Sequence, residues 1–284
     1  MTFYLGCAVW SYKGWVGEFY PPKTQSKDFL SLYSQRFNTV EGNTTFYAVP
    51  DAGTVARWKQ ETPSGFKFVP KLPRTITHSG LLTPHLSDAI AFISRMQGLG
   101  DRLGPIFAQL PPSYSPEYLA DLVNFLTAIA DYDVAIAVEV RHRDWFEDPH
   151  RERLNDSLEK LSIGRVLLDT RPIYNCPDDP QLASERRKPE LPLQPDLTAN
   201  FTLIRFISHP EGIYNHAYLR EWATRVGRWL QSGTDVYFFV HCPVEEHSPF
   251  TARDFYRLLI EKKVKLAPLP WDRLQTPPEQ LSLF

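Results

Sequence analysis

Glu41, Glu139, Asp169 and His241 are three carboxylates and an imidazole, types that can hold a divalent metal or move a proton. Each closes a short apolar run: "NTVEGN" (38–43), "AIAVEV" (135–140), "RVLLD" (165–169) and "VYFFVH" (236–241). Lys71, Gln109, Arg141, Arg171 and Arg205 stand at the ends of similar runs. Their cations could clamp a phosphate or carboxylate, with Glu139 or Asp169 as general base. Trp10, Lys13, Asn43 and Tyr47 complete the expected substrate contacts, the aromatic rings offering faces to a base or sugar. A metal on Glu41, Glu139, Asp169 and His241 is the competing chemistry, although no HxH or HExxH spacing marks it. A self-satisfied ion-pair network, Glu139 with Arg205 or Glu41 with Lys71, is the structural alternative.

The runs that carry these residues are strand-like. Eight occur, at 3–9, 38–43, 66–71, 105–110, 135–140, 165–169, 202–207 and 236–241. Amphipathic stretches at 27–37, 51–61, 86–97, 116–130, 148–161, 216–231 and 251–263 separate most of them. Asp51, Ser115 and Ser248 are the expected N-caps. Strand–helix alternation of this kind predicts a single α/β domain, a (β/α)₈ TIM barrel over residues 1–268. That fold would put the polar strand ends on one rim. An open doubly wound sheet would need a glycine-rich turn after the first strand, and "GCAVWSYKGWVG" places two tryptophans there. Between the sixth and seventh strands, residues 171–200 are rich in proline and charge. They predict an excursion over the barrel mouth, touching ligand through Arg186, Arg187 or Lys188.

The net charge is −2, so no global basic field points to nucleic acid. No run has the length of a membrane span, and the N-terminal residues lack a signal-peptide pattern. Three cysteines without CxxC spacing fit reduced thiols, and a cytoplasmic location is expected.

Several segments carry a resemblance: "RFNTVEGNTTFYAVP", "FAQLPPSY", "AVEVRHRDWF", "LLDTRPIY", "LIRFISHP" and "FFVHCPVEEHSPFTAR". In order and over about residues 3–265 they resemble the YecE-like family, domain of unknown function family 72. The resemblance implies a TIM barrel with no assigned activity. It marks Trp10, Lys13, Glu41, Asn43, Thr45, Phe46, Tyr47, Gln109, Pro111, Glu139, Arg141, Trp145, Asp169, Arg205 and His241 without giving any of them a role.

The chain ends on "QLSLF". Gln280, Leu281, Ser282, Leu283 and Phe284 are similar at all five positions to the peptide that binds the bacterial DNA polymerase sliding clamp. Residues 269–284 therefore predict a proline-rich linker and a clamp-binding tail, with the apolar side chains as anchors. The expected function is a nucleic-acid-associated enzyme on a phosphoester or sugar-phosphate, with a divalent metal as the cofactor to test for. The rivals are a small-molecule sugar isomerase or lyase, and a clamp-associated adaptor without catalysis.

Overall fold

The computed structural model describes residues 1–274 apart from 183, 185 and 186. The expected contact at Arg186 and the motif Gln280–Phe284 lie outside the described residues.

All eight strands form: β1 (Phe3–Cys7), β2 (Thr39–Gly42), β3 (Lys67–Pro70), β4 (Ile106–Gln109), β5 (Ile136–Glu139), β6 (Gly164–Asp169), β7 (Phe201–Ile207) and β8 (Asp235–His241). Every ladder is parallel. Six strands run in the order β1-β8-β7-β6-β5-β4, and β2 pairs with β3. Bridges from Phe68 to Leu103 and from Lys71 to Phe107 join β3 to β4.

Side chains close the remaining seam, between β1 and β2. The Asn38 amide accepts from the Leu5 N–H at 2.7 Å and donates to the Phe3 carbonyl at 2.9 Å. The Tyr33 hydroxyl accepts from the Cys7 N–H at 2.7 Å and donates to the Thr39 carbonyl at 3.0 Å. Gly6 lets the two backbones come this near: a Cβ there would sit 2.0 Å from the Thr39 oxygen.

Helices Phe29–Ser34, Ala52–Glu61, Leu86–Met96, Leu119–Ala130, His150–Lys160, His216–Gln231 and Ser248–Glu261 cover the outside. Their apolar faces meet the outward strand residues in one large core. The Asp51 carboxylate accepts from the Thr54 N–H at 2.6 Å and caps its helix. Ser115 precedes a 3₁₀ turn and makes no side-chain cap. Ser248 lies inside the first turn of its helix, one residue past the N-cap position held by His247, so it is not the expected cap.

After β6 the helical position holds only one turn, Arg171–Tyr174, followed by irregular chain. The Tyr174 hydroxyl donates to the Lys188 carbonyl at 2.6 Å, and the Gln181 side-chain oxygen accepts from the Lys188 N–H at 2.6 Å. These bonds fold the excursion back so that Lys188 meets the barrel mouth. Residues 269–274, assigned to the linker by sequence, instead pack on the barrel. Leu269 is buried, and the Trp271 ring meets Phe19 and Phe37 edge-on. The linker reading can therefore apply only beyond them.

Candidate active site

Side chains on a strand alternate between faces. Val69, Phe107, Ala137, Val166, Leu203 and Phe239 share a small apolar cluster separate from the helix-covered core, and they fill the barrel interior. Two residues further along the same inward rows come Lys71, Gln109, Glu139, Leu168, Arg205 and His241. Glu41 joins them from β2. A charged layer thus rests directly on an apolar floor.

Arg205 is its centre. The guanidinium grips Glu41 with two bonds, 2.8 Å from Nε and 2.9 Å from Nη2, and donates to Glu139 from Nη1 at 2.6 Å. The second oxygen of Glu139 accepts from Arg141 Nε at 2.6 Å. His241 Nε2 lies 2.9 Å from Glu41, where an N–H is the donor a carboxylate requires. Unpaired carboxylates buried this deeply would cost several kcal/mol each. Burial pushes the Glu139 carboxyl up, but Arg205 and Arg141 outweigh it and hold the pKa at about 2. Glu41 is held well below its ordinary range: burial opposes this, and Arg205 and His241 prevail. Burial brings His241 down to about 4, so it is neutral at pH 7.

Lys71 is the layer's distinctive member. Its Nζ donates to the Gln109 side-chain oxygen at 2.7 Å and lies 3.6 Å from the centre of the Phe46 ring. Burial first, then the nearby Arg205, lowers its pKa to about 7. No carboxylate bonds it directly, since Glu41 and Glu139 are engaged by arginine. The Glu41–Lys71 pair considered from sequence does not form, whereas Glu139–Arg205 does.

Above this layer opens a cavity of about 370 Å³. It is lined by Asn43, Phe46, Tyr47, Lys71, Arg74, His78, Gln109, Arg141, Arg187, Lys188 and Arg205. Burial and the neighbouring Lys71 hold His78 at about 4, so it too is neutral near pH 7. Burial and Arg205 bring Lys188 to about 8. Among the described residues, six lysine and arginine side chains meet here and no carboxylate reaches the wall.

Four expected residues lie elsewhere. Asp169 has the parity of Arg165 and Leu167, not of Val166 and Leu168, so it faces the helices. There it holds Arg171 through two bonds of 2.9 Å and accepts from Trp222 Nε1 at 2.7 Å. Arg171 goes on to Glu221 at 2.8 Å. This pair fastens β6 to helix His216–Gln231 and corrects the expectation that both serve the substrate. Trp10 packs edge-to-face on Trp58 and Phe68 in the core. Lys13 is exposed on a 3₁₀ turn and is not part of the cavity wall.

The donor set also argues against the four-residue metal centre. Asp169 is turned away, and the position between Glu41 and Glu139 that would attract a cation is filled by the Arg205 guanidinium. Among the described residues, one other group has metal-ligand types close together: Cys176, Asp178 and His209. There His209 Nδ1 accepts from the Glu211 N–H at 2.9 Å, which puts the ring proton on Nε2, facing Asp178 at 3.1 Å. That tautomer has no lone pair for a metal and makes the group a clasp. Sequence reasoning missed Gln181 and Glu245 beside the mouth, because both lie in segments without strand periodicity.

The family model described as "Protein of unknown function DUF72" matches residues 4–274. The chain belongs to this family. It is 32% identical to the UPF0759 protein YecE of Escherichia coli (strain K12), over 99% of each chain. Among solved structures it resembles a DUF72 family protein from Thermotoga maritima MSB8, with a TM-score of 0.68, 21% identity, and coverage of 92% of this chain and 100% of that one. A "xylose isomerase-like TIM barrel/4-hydroxyphenylpyruvate dioxygenase fusion protein" matches with a TM-score of 0.51 and 12% identity, over 94% of this chain and 46% of that one. These likenesses establish the α/β barrel as the fold. No helix among the described residues is long and apolar enough to cross a membrane.

Proposed function

We propose that this DUF72 barrel is an enzyme acting on a small anionic molecule, a phosphate ester or a carboxylate, with Lys71 as the group that moves a proton. One observation carries the reading: among the described residues, six lysine and arginine side chains and no carboxylate line the cavity, while both carboxylates beneath are already neutralised by arginine. Arg141, Arg74 and Lys188 supply charge for the anion, and the fork of Arg141 suits two oxygens at once. A lysine near its midpoint at neutral pH can take a proton and return it. That chemistry suits an isomerisation or elimination next to a carbonyl. Metal-assisted phosphoester cleavage is supported less well, since Arg205 stands where the ion would sit.

A second reading keeps the same cavity and changes the ligand. A nucleic-acid phosphate presents the same oxygens, and the tail motif favours recruitment to DNA through the sliding clamp. Titration of the full chain with inorganic phosphate, and separately with a short single-stranded DNA, tests both. Saturable phosphate binding, weakened about tenfold or more in Arg141→Ala, is expected. Absence of binding to phosphate and to simple carboxylates at millimolar concentration would refute the reading, and binding of DNA alone would favour the second. NMR of ¹³C-dimethylated protein should show one lysine titrating near pH 7, and Lys71→Met should remove that signal.

A further inference from the structure

A second cavity, of about 260 Å³, adjoins the first. Asn43 and Lys188 belong to the walls of both. Otherwise the two differ in character. The second is bordered by Gln181, Ser184, His241, Cys242 and Glu245, and among the described residues its only basic amine is the shared Lys188.

Two of its polar atoms are unusual. Gln181 is 1% exposed, and its side-chain oxygen is used by the Lys188 N–H, but Nε2 has no partner among the described residues. Glu245 Oε1 is likewise withheld from water, and the Glu245 carboxyl interacts with the Ser248 hydroxyl. A buried polar atom left unpaired destabilises the fold. The Gln181 amide beside this cavity is therefore a standing penalty that a suitable ligand would relieve. Burial pushes the Glu245 carboxyl up to about 8. At neutral pH it is mostly the uncharged acid, which can both donate and accept a hydrogen bond. His241, neutral at this pH, adds no charge.

We infer that this second cavity is a subsite for the neutral, oxygen-rich part of the ligand, hydroxyl or carbonyl groups, held by Gln181 and Glu245 while the anionic group occupies the first cavity. The inference rests on the anion-binding reading and narrows it. The ligand would carry one anionic end and one uncharged hydroxylated end, as a sugar phosphate or phosphorylated polyol does. The shared Lys188 stands at the junction, where it would meet the boundary between the two parts.

Calorimetric titration of the full chain with inorganic phosphate, ribose 5-phosphate, glucose 6-phosphate and glycerol 3-phosphate tests this. At least one sugar or polyol phosphate should bind ten times more tightly than inorganic phosphate. Glu245→Leu, which keeps the bulk and removes the polar atoms, should erase that gain and leave phosphate affinity within about twofold. Gln181→Glu, which keeps the acceptor for Lys188 and removes the unpaired donor, should also erase it. Two variants guard against one failing to fold, and circular dichroism checks each. If inorganic phosphate binds but no organic phosphate binds better, or if both variants keep the gain, the subsite is overturned and the anion site stands. If no phosphate binds at all, the anion reading falls and the subsite with it.

Discussion

Replacing Arg205 by methionine should destabilise the protein in a way that depends on pH. Three charge-assisted hydrogen bonds disappear, to Glu41 Oε1 and Oε2 and to Glu139 Oε2. Glu41 and Glu139 are 0% and 1% exposed, so water cannot take the place of the guanidinium. Breaking a buried pair by removing one partner costs about 3–5 kcal/mol. Glu139 gives the scale of the stabilisation that Arg205 shares with Arg141 and Lys71. Its pKa is about 2 in the fold against 4.5 unperturbed, a difference of 2.5 units. At 1.36 kcal/mol per unit this is about 3 kcal/mol of stability. Because the folded value is depressed, the contribution is complete above pH 4.5 and fades as pH falls toward 2. Without Arg205 the sign reverses. Burial is then offset by direct bonds only from Arg141 at Glu139 and from His241 at Glu41, so the carboxyl pKa values rise and protonation stabilises the fold. Urea melts at pH 7 and pH 5 should therefore show wild type losing nothing from Glu139 over this interval, while Arg205→Met gains stability on acidification. Replacing Glu41, Glu139 and Arg205 together by apolar residues should recover much of the loss. A single variant as stable as wild type at pH 7, or one whose deficit is unchanged at pH 5, would refute the reasoning.

Asp169→Asn should lower stability by about 1–3 kcal/mol through its bonds to Arg171 and Trp222, and leave phosphate affinity unchanged. A loss of phosphate binding in that variant would return Asp169 to the site. Deleting residues 280–284 should abolish binding to purified sliding clamp and leave the melting temperature unchanged. Equal clamp binding by the truncated and full-length chains would remove the tail from the account.

The fold was legible because the apolar runs are spaced by chain long enough for a helix, and because the polar residue at each run's end is conspicuous. Side-chain direction was not. In "RVLLD" every residue is compatible with burial on either face, so the alternation that turns Asp169 outward leaves no trace in the letters. "AIAVEV" has the same ambiguity, yet Glu139 faces inward. Only the shared register of neighbouring strands, such as Gln109 beside Glu139, separates the two cases. Trp10 was misplaced for a related reason. It lies three residues beyond β1, but its indole turns into the core to meet Trp58. Gln181 and Glu245 gain importance from being buried beside the second cavity, and that is a property of three-dimensional neighbours alone.

The seam between β1 and β2 bears on how related chains should be compared. Gly6, Tyr33 and Asn38 stand away from the cavity, yet Tyr33 and Asn38 substitute for backbone bonds that two strands fail to make, and Gly6 permits the approach they need. Gly6 cannot become alanine without moving Thr39, and neither Tyr33 nor Asn38 can close the seam alone. Selection would thus hold the three as a unit, and exchange them only together. Invariance at positions 6, 33 and 38 across an alignment would record how the wall is joined, and it should be subtracted before the remaining constant positions are read as a record of the ligand.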